Sequence, residues 1–156
     1  NAQEALAARG YDGSVLVPAD DGLRQMYAAM GYRNFGGVEN LTLPAGASVP
    51  LREVTPEEYA ALRRNYLPEG GIVQEDGAIE FLAESAKLYA GNGFLLAATE
   101  DEPMELLGDA SQAAGILGAL EKDQGTFRLP GTSPFAMFRP TCDDSWTPAY
   151  FGLDFA

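Results

Sequence analysis

The 156-residue chain contains no histidine. That absence removes Ser-His and Cys-His dyads, imidazole metal ligands and imidazole acid-base catalysis together, so any chemistry must rest on tyrosine, carboxylates, Ser/Thr hydroxyls, lysine or backbone amides. The single cysteine, Cys142, excludes an internal disulfide and a Cys-rich zinc centre. Its expected role is packing, and the expected compartment is a reducing cytoplasm. Basic residues are scarce, ten Lys plus Arg against 23 Asp plus Glu, for a formal charge of −13. Such a field repels phosphate backbones and anionic membrane surfaces, so neither nucleic acid nor membrane is an expected partner, while a cationic amine is electrostatically welcome. No run of sequence approaches the ~18 apolar residues of a membrane helix, and no charged segment leads into an apolar stretch at the start. No metal site is expected either. Glu100, Asp101, Glu102 and Glu105 cluster without the glycine-punctuated spacing of a calcium loop and read as a solvated turn.

What the chain does contain is apolar and ordered. Hydrophobic residues make up 46% and aromatics 10%, a composition that folds around a core. The chain enters at Asn1 directly into the helix-forming AQEALAARG, and the expectation is that part of a parent protein lies upstream. Gly10 stops that helix, Asp12-Gly13 turns into the strand Ser14 to Val17, and Asp20 or Asp21 caps a helix through Leu23, Tyr27 and Met30 that ends at Gly31. A strand then runs from Tyr32 through VENLTL. This is an α/β alternation, and Pro44 to Ser48 is the best boundary in the chain.

Beyond the boundary, VPLREVT reads as a strand leading into Thr55-Pro56-Glu57-Glu58, a capping box with proline at the first helical position. Tyr59, Leu62 and Tyr66 share a face of that helix, and Arg63-Arg64 read as a solvated face. A second helix opened by Asp76 carries Ile79, Leu82, Ala86 and Tyr89 on a stripe and stops at Gly91. GFLLAAT and MELLG form a hairpin, Asp109 and Gln112 open a helix with Ala113, Ile116, Leu117 and Leu120 inward, and TFRLP, FAMFRP and AYFGLDF are strand candidates. Trp146, Tyr150, Phe151 and Phe155 either line an apolar pocket or, at strand spacing, belong to the core.

Read with spacing, the first segment is Asp20-x-x-Leu23-x-x-x-Tyr27-x-x-x-Gly31-Tyr32 behind the apolar strand Val15-Leu16-Val17. It resembles the C-terminal half of the GNAT superfamily of acyl-CoA-dependent N-acetyltransferases, in which a strand is followed by N-x-x-A-x-x-x-Y-x-x-x-G-F. The resemblance implies a mixed α+β, GNAT-like fold whose first lobe enters only in its C-terminal part. It also implies acetyl-CoA as co-substrate, a small-molecule or peptide amine as acceptor, and Val17, Pro18, Asp20 and Leu23 beside the cofactor. Tyr27 is then the implied catalytic residue: a phenol with an ordinary pKa of about 10 can donate to the sulfur of a departing thiolate. Asp20 stands where the family has Asn and Leu23 where it has Ala; Asp20 can still cap the helix but adds a negative charge near an anionic cofactor.

The family's [RQ]-x-x-G-x-[GA] pyrophosphate loop would precede the helix entered at Ala2 and is not within the chain. The one near match, Gln112-x-x-Gly115-x-Leu117, ends in a bulky residue that lies on the apolar stripe and reads as core. Residues 1–44 are accordingly expected to be the C-terminal portion of a catalytic lobe. Residues 45–156 resemble a second, degenerate GNAT-like lobe, as in two-lobed bacterial acetyltransferases of the Eis-like group. Asp154 and Glu53 both remain open as amine-activating bases. Homo-oligomer formation is a further expectation, since a partial lobe leaves apolar edges. The competing expectation is a non-catalytic ligand-binding or oligomerisation module.

Overall fold

The computed structural model describes residues 1–100, 104–142 and 146–153. Asp101, Glu102, Asp154 and Phe155, named above, lie outside the described residues. Helix α1 (Ala2–Ala8), strand β1 (Gly13–Leu16), helix α2 (Asp21–Ala29) and the long strand β2 (Arg33–Pro44) come first. After an irregular connector follow β3 (Leu51–Glu53), α3 (Pro56–Tyr66), α4 (Gly77–Ala83), β4 (Lys87–Gly91), β5 (Phe94–Ala98) and β6 (Met104–Gly108). A 3-10 turn at Ala110–Gln112 leads into α5 (Ala113–Ala119), and β7 (Gln124–Pro130) and β8 (Ser133–Pro140) complete the order.

The strands form one eight-stranded sheet in the order β1-β8-β2-β7-β6-β5-β4-β3. The described pairs are antiparallel, apart from β6 with β7. That parallel pair is in register only at Met104 with Phe127 and Glu105 with Arg128, so the two strands part soon after they meet. Residues 1–44 and the rest of the chain interleave, because β2 lies between β7 and β8. Its second half pairs with β7 (Val38 to Pro130, Pro44 to Gln124) and its first half with β8 (Arg33 to Phe138, Val38 to Ser133). The link between β7 and β8 must therefore cross β2. Gly37 permits the crossing: a Cβ there would meet the Gly131 carbonyl oxygen at 2.0 Å and Thr132 Cα at 2.5 Å, and Gly131 N–H donates to the Gly37 carbonyl at 2.9 Å.

One face of the sheet packs against α3 and α4 through Tyr59, Ile79, Leu82, Leu88, Leu95 and Leu107. The other packs against α5 through Ala113, Ile116 and Leu117 on Phe94, Leu96, Leu106 and Phe127. A smaller cluster of Phe35, Ala136 and Phe138, with Val15 and Val17 against it, lies under β1, β2 and β8.

Local chemistry sets most boundaries. Thr55 Oγ1 accepts from Glu58 N–H at 3.2 Å with Pro56 at the first helical position, while the Glu58 carboxylate, expected to reach back to the cap, is paired with Arg52 at 2.6 Å instead. The helix expected to run to Gly91 stops at Ala83. Ala86 and Tyr89 belong to the approach to β4 and to β4 itself, whose hairpin with β5 turns at Asn92-Gly93 with Gly93 at φ +82°. AYFGLDF is no strand over its described part; Tyr150 makes a single parallel bridge to Gly71.

Candidate functional site

The tyrosine to which the resemblance points sits on α2, which follows the outermost strand β1. Asp20 caps the helix, its Oδ1 accepting from Leu23 N–H at 2.8 Å, so the capping expected for this position is met by its carboxylate. At the other end Gly31, at φ +89°, turns the chain so that Tyr32 N–H donates to the Tyr27 carbonyl at 3.0 Å. The rings of Tyr27 and Tyr32 then meet edge to face, with centroids 5.6 Å apart and planes at 66°. The Tyr32 hydroxyl is shared with Ser14 Oγ of β1 at 2.8 Å, and Gln3 Nε2 of α1 donates to Ser14 Oγ at 3.0 Å. Arg24, on the same helix, donates to Asn34 Oδ1 and to the Phe135 carbonyl.

Of the side chains expected beside a cofactor, Pro18 is buried, Val17 and Leu23 are half-buried and Asp20 is exposed. Val17 packs on the Phe35–Phe138 cluster. Tyr27 is half-buried. This strip can offer an apolar wall and a phenol. At the α2 N-terminus the Asp20 carboxylate already takes the Leu23 amide, and an anion placed there would face like charge. Glu53, an open candidate for a base, is exposed on β3 at the far end of the sheet from β1, so the fold does not bring it to Tyr27.

The Gln112-x-x-Gly115-x-Leu117 stretch is core. Gly115 and Leu117 are buried, and a Cβ on Gly115 would meet Val49 Cγ1 at 2.4 Å. The aromatic tail is largely core as well: Tyr150 is 1% exposed and Phe151 stacks on Phe135 at 6.5 Å, while Trp146 leans on Phe138 at 4.7 Å and stays 43% exposed.

Arg63 and Glu105, expected on solvated surfaces, are the correction with the largest energetic weight. Both are buried, at 1% and 2% exposure. Arg63 donates from Nε to Glu105 Oε1 at 2.9 Å and from Nη2 to Oε2 at 3.0 Å, a two-pronged pair. Tyr150 OH donates to Oε2 at 2.9 Å and Tyr59 OH to Oε1 at 3.3 Å. Burial, and then the Glu105 charge, pushes both phenols well above the ordinary tyrosine range. Burial works against the Arg63 charge, but Glu105 outweighs it and holds the guanidinium above its usual value. The cluster sits where β6 and β7 part, and the C-terminal segment closes over it. Arg128 Nη1 donates to the Gly152 carbonyl at 3.2 Å, and Gln74 Nε2 to that of Leu153 at 3.3 Å. With every arm of the carboxylate occupied and no exposure, this is a structural ion pair rather than an acid-base site. Its signal in the sequence was position: Arg63 is four residues after buried Tyr59, and Glu105 alternates with inward Met104 and Leu106 on the opposite face of β6.

Elsewhere, an open apolar depression of ≈ 330 Å³ lies between β3, β4 and α3, lined by Leu51, Leu62, Tyr66 and Phe94 together with Arg52 and Asn92. Among the described residues no group of His, Cys, Asp and Glu could hold a metal ion, and no helix is long and apolar enough to cross a membrane.

No family model matches the chain, and no curated protein matches it in sequence. Solved structures do. The chain is similar to a GCN5-related N-acetyltransferase from Anabaena variabilis ATCC 29413, with a TM-score of 0.57 at 14% identity, covering 90% of this chain and 49% of that one. It is likewise similar to a GCN5-related N-acetyltransferase from Kribbella flavida, with a TM-score of 0.55 at 16% identity, covering 88% of this chain and 45% of that one. The chain thus spans about half the length of these structures, and the mixed α+β architecture is a GNAT-like fold.

Proposed function

We propose that this chain is part of an N-acyltransferase that moves an acetyl group from acetyl-CoA to a primary amine on a small molecule or peptide. In this reading residues 1–44 are the C-terminal portion of a catalytic lobe and residues 45–156 a second, degenerate lobe, in the manner of two-lobed bacterial Eis-like acetyltransferases. The observation that carries the reading is the setting of Tyr27: a half-exposed phenol on a short capped helix, immediately after an outermost strand, within a GNAT-like fold.

The chemistry follows from the groups present. As an amine attacks a thioester, negative charge collects on sulfur, and Tyr27 donates a proton or hydrogen bond to it. Val17, Pro18 and Leu23 form the apolar wall along which the acyl end lies, and Asp20 fixes the first turn of α2 that carries Tyr27. Asp20 also occupies one of the α2 N-terminal amides and sets a negative charge beside them, so in this reading the diphosphate is held elsewhere. In a full-length protein carrying this chain, Tyr27→Phe is expected to lower turnover about a hundredfold while leaving folding stability within about 1 kcal/mol. An unchanged rate constant with chemistry limiting would remove Tyr27 from the mechanism.

A second reading, a non-catalytic module with an acetyltransferase-like fold, is favoured by one observation: the parting of β6 and β7 is filled by the segment from Tyr150 to Leu153. Calorimetric titration separates the two halves of the question. The chain by itself is expected to bind CoA weakly or not at all, and micromolar affinity would contradict the proposed absence of a phosphate grip.

A further inference from the structure

We infer that Tyr32 is a positioning residue for Tyr27, a step that rests on the reading of Tyr27 as proton donor. Helix α2 has no fully buried residue, and Met26 on it and Met30 at its C-terminal cap are about half exposed, at 46% and 50%, so packing alone holds its side chains loosely. A donor helps only within about 2.6–3.2 Å of the atom it serves. A misplacement near 1 Å can cost about a hundredfold in rate. Something must therefore fix the Tyr27 ring, and the ring that meets it is Tyr32.

Tyr32 is itself fixed at both ends. The Gly31 turn and the bond from its N–H to the Tyr27 carbonyl at 3.0 Å set its backbone. Its hydroxyl is shared with Ser14 Oγ at 2.8 Å and lies 3.4 Å from Gln3 Nε2, which donates to it as well as to Ser14. Phenylalanine at this position would keep the edge-to-face contact at 5.6 Å but lose the anchor. Through the hydroxyl, α1 and β1 both restrain a ring that in turn restrains Tyr27, so the donor on a lightly packed helix is referred to the sheet.

The test compares Tyr32→Phe, which removes the anchor and keeps the ring, with Ser14→Ala, which removes the anchor's partner and leaves Tyr32 intact. Tyrosine rings are labelled with carbon-13, the Tyr27 signals are assigned through Tyr27→Phe, and urea unfolding is recorded for each variant. In both variants the Tyr27 ring signals should shift and broaden while the unfolding midpoint stays close to that of the parent. In a longer protein that carries this chain and holds acetyl-CoA, kcat for acetyl transfer to spermidine should fall about tenfold with the KM for acetyl-CoA within about twofold. Unchanged Tyr27 signals in both variants, with or without a loss of stability, would overturn the inference. Absence of any acetyl transfer by that longer protein would overturn the acyltransferase reading, and the Tyr27 ring signals of the chain would still decide whether Tyr32 holds that ring.

Discussion

The first 32 residues and the residues after Pro44 are built to different standards. In the first group Pro18 is the one fully buried residue, and α1 and α2 bury none. In the second, α3 alone buries Tyr59, Ala60 and Arg63, and the sheet beneath it is closed on both faces. Capping does not favour the second group: Asn1 and Asp20 cap both helices of the first, whereas in the second Thr55 caps α3, Asp109 caps only the 3-10 turn, and α4 and α5 have no side-chain cap. Tertiary burial does. Because helix stability in proteins comes mainly from packing, α1 and α2 are the elements expected to open most easily, and the tyrosine proposed for chemistry sits on one of them.

The contrast can be broken from the stable side first. Arg63→Met leaves Glu105 buried without its cation and should cost about 3–5 kcal/mol of global stability, read from urea midpoints. Combining it with Glu105→Leu should recover much of that loss, since both charges are then gone. A single-mutant cost under about 1 kcal/mol would show that the pair is hydrated. The next effect is alkaline. Tyr59 and Tyr150 keep their protons in the folded protein at pH values where unfolded tyrosine ionises, near 10. Their contribution is complete below that pH and is lost as pH rises past it, at about 1.4 kcal/mol per pH unit for each phenol. Unfolding curves at pH 9, 10 and 11 should show this slope, and Tyr150→Phe should roughly halve it.

The other side of the comparison calls for smaller, local effects. Asp20→Ala removes the α2 cap and should cost about 1 kcal/mol, seen as faster hydrogen exchange confined to the α2 amides with those of β5 and β6 unchanged. Were β5 and β6 to respond equally, the two regions would be one cooperative unit. Smallest of all, Met30→Gln at the exposed C-terminal cap of α2 should change the stability measured by urea unfolding by less than about 0.5 kcal/mol.

Where the sequence was readable, a local rule and the tertiary fold agreed: the Asp20 and Thr55 caps, the Gly31 stop, the hairpin of β5 with β6, and α5 with its apolar stripe. Where it misled, a long-range partner decided. Arg63 and Arg64 are adjacent and identical in type; one meets Glu105 inside the core and the other pairs with Glu75 at the surface, its Nε donating at 2.8 Å. Nothing local to the pair says which will be covered, apart from the four-residue spacing from Tyr59. In the stretch from Ile79 to Tyr89, a helical stripe competed with the Asn92-Gly93 hairpin signal, and the strand pairing to β5 won over residues 87–91. For the candidate site, the family resemblance pointed to Tyr27 and its flanking glycine and aromatic, and nothing in the sequence pointed to the bond from Tyr32 to Ser14, which joins residues 18 apart in the chain.

The placement of β2 has one more consequence. Hydrogen-bonded on one edge to β7 and on the other to β8, with the Gly131 crossing laid over it, this strand is clasped by the end of the chain rather than merely tethered through the connector after Pro44. A protease cut in that connector would sever the covalent link without releasing the piece. The two fragments should copurify as a nicked complex, and separately made halves should find one another by complementation, the later half supplying a slot that the earlier half fills.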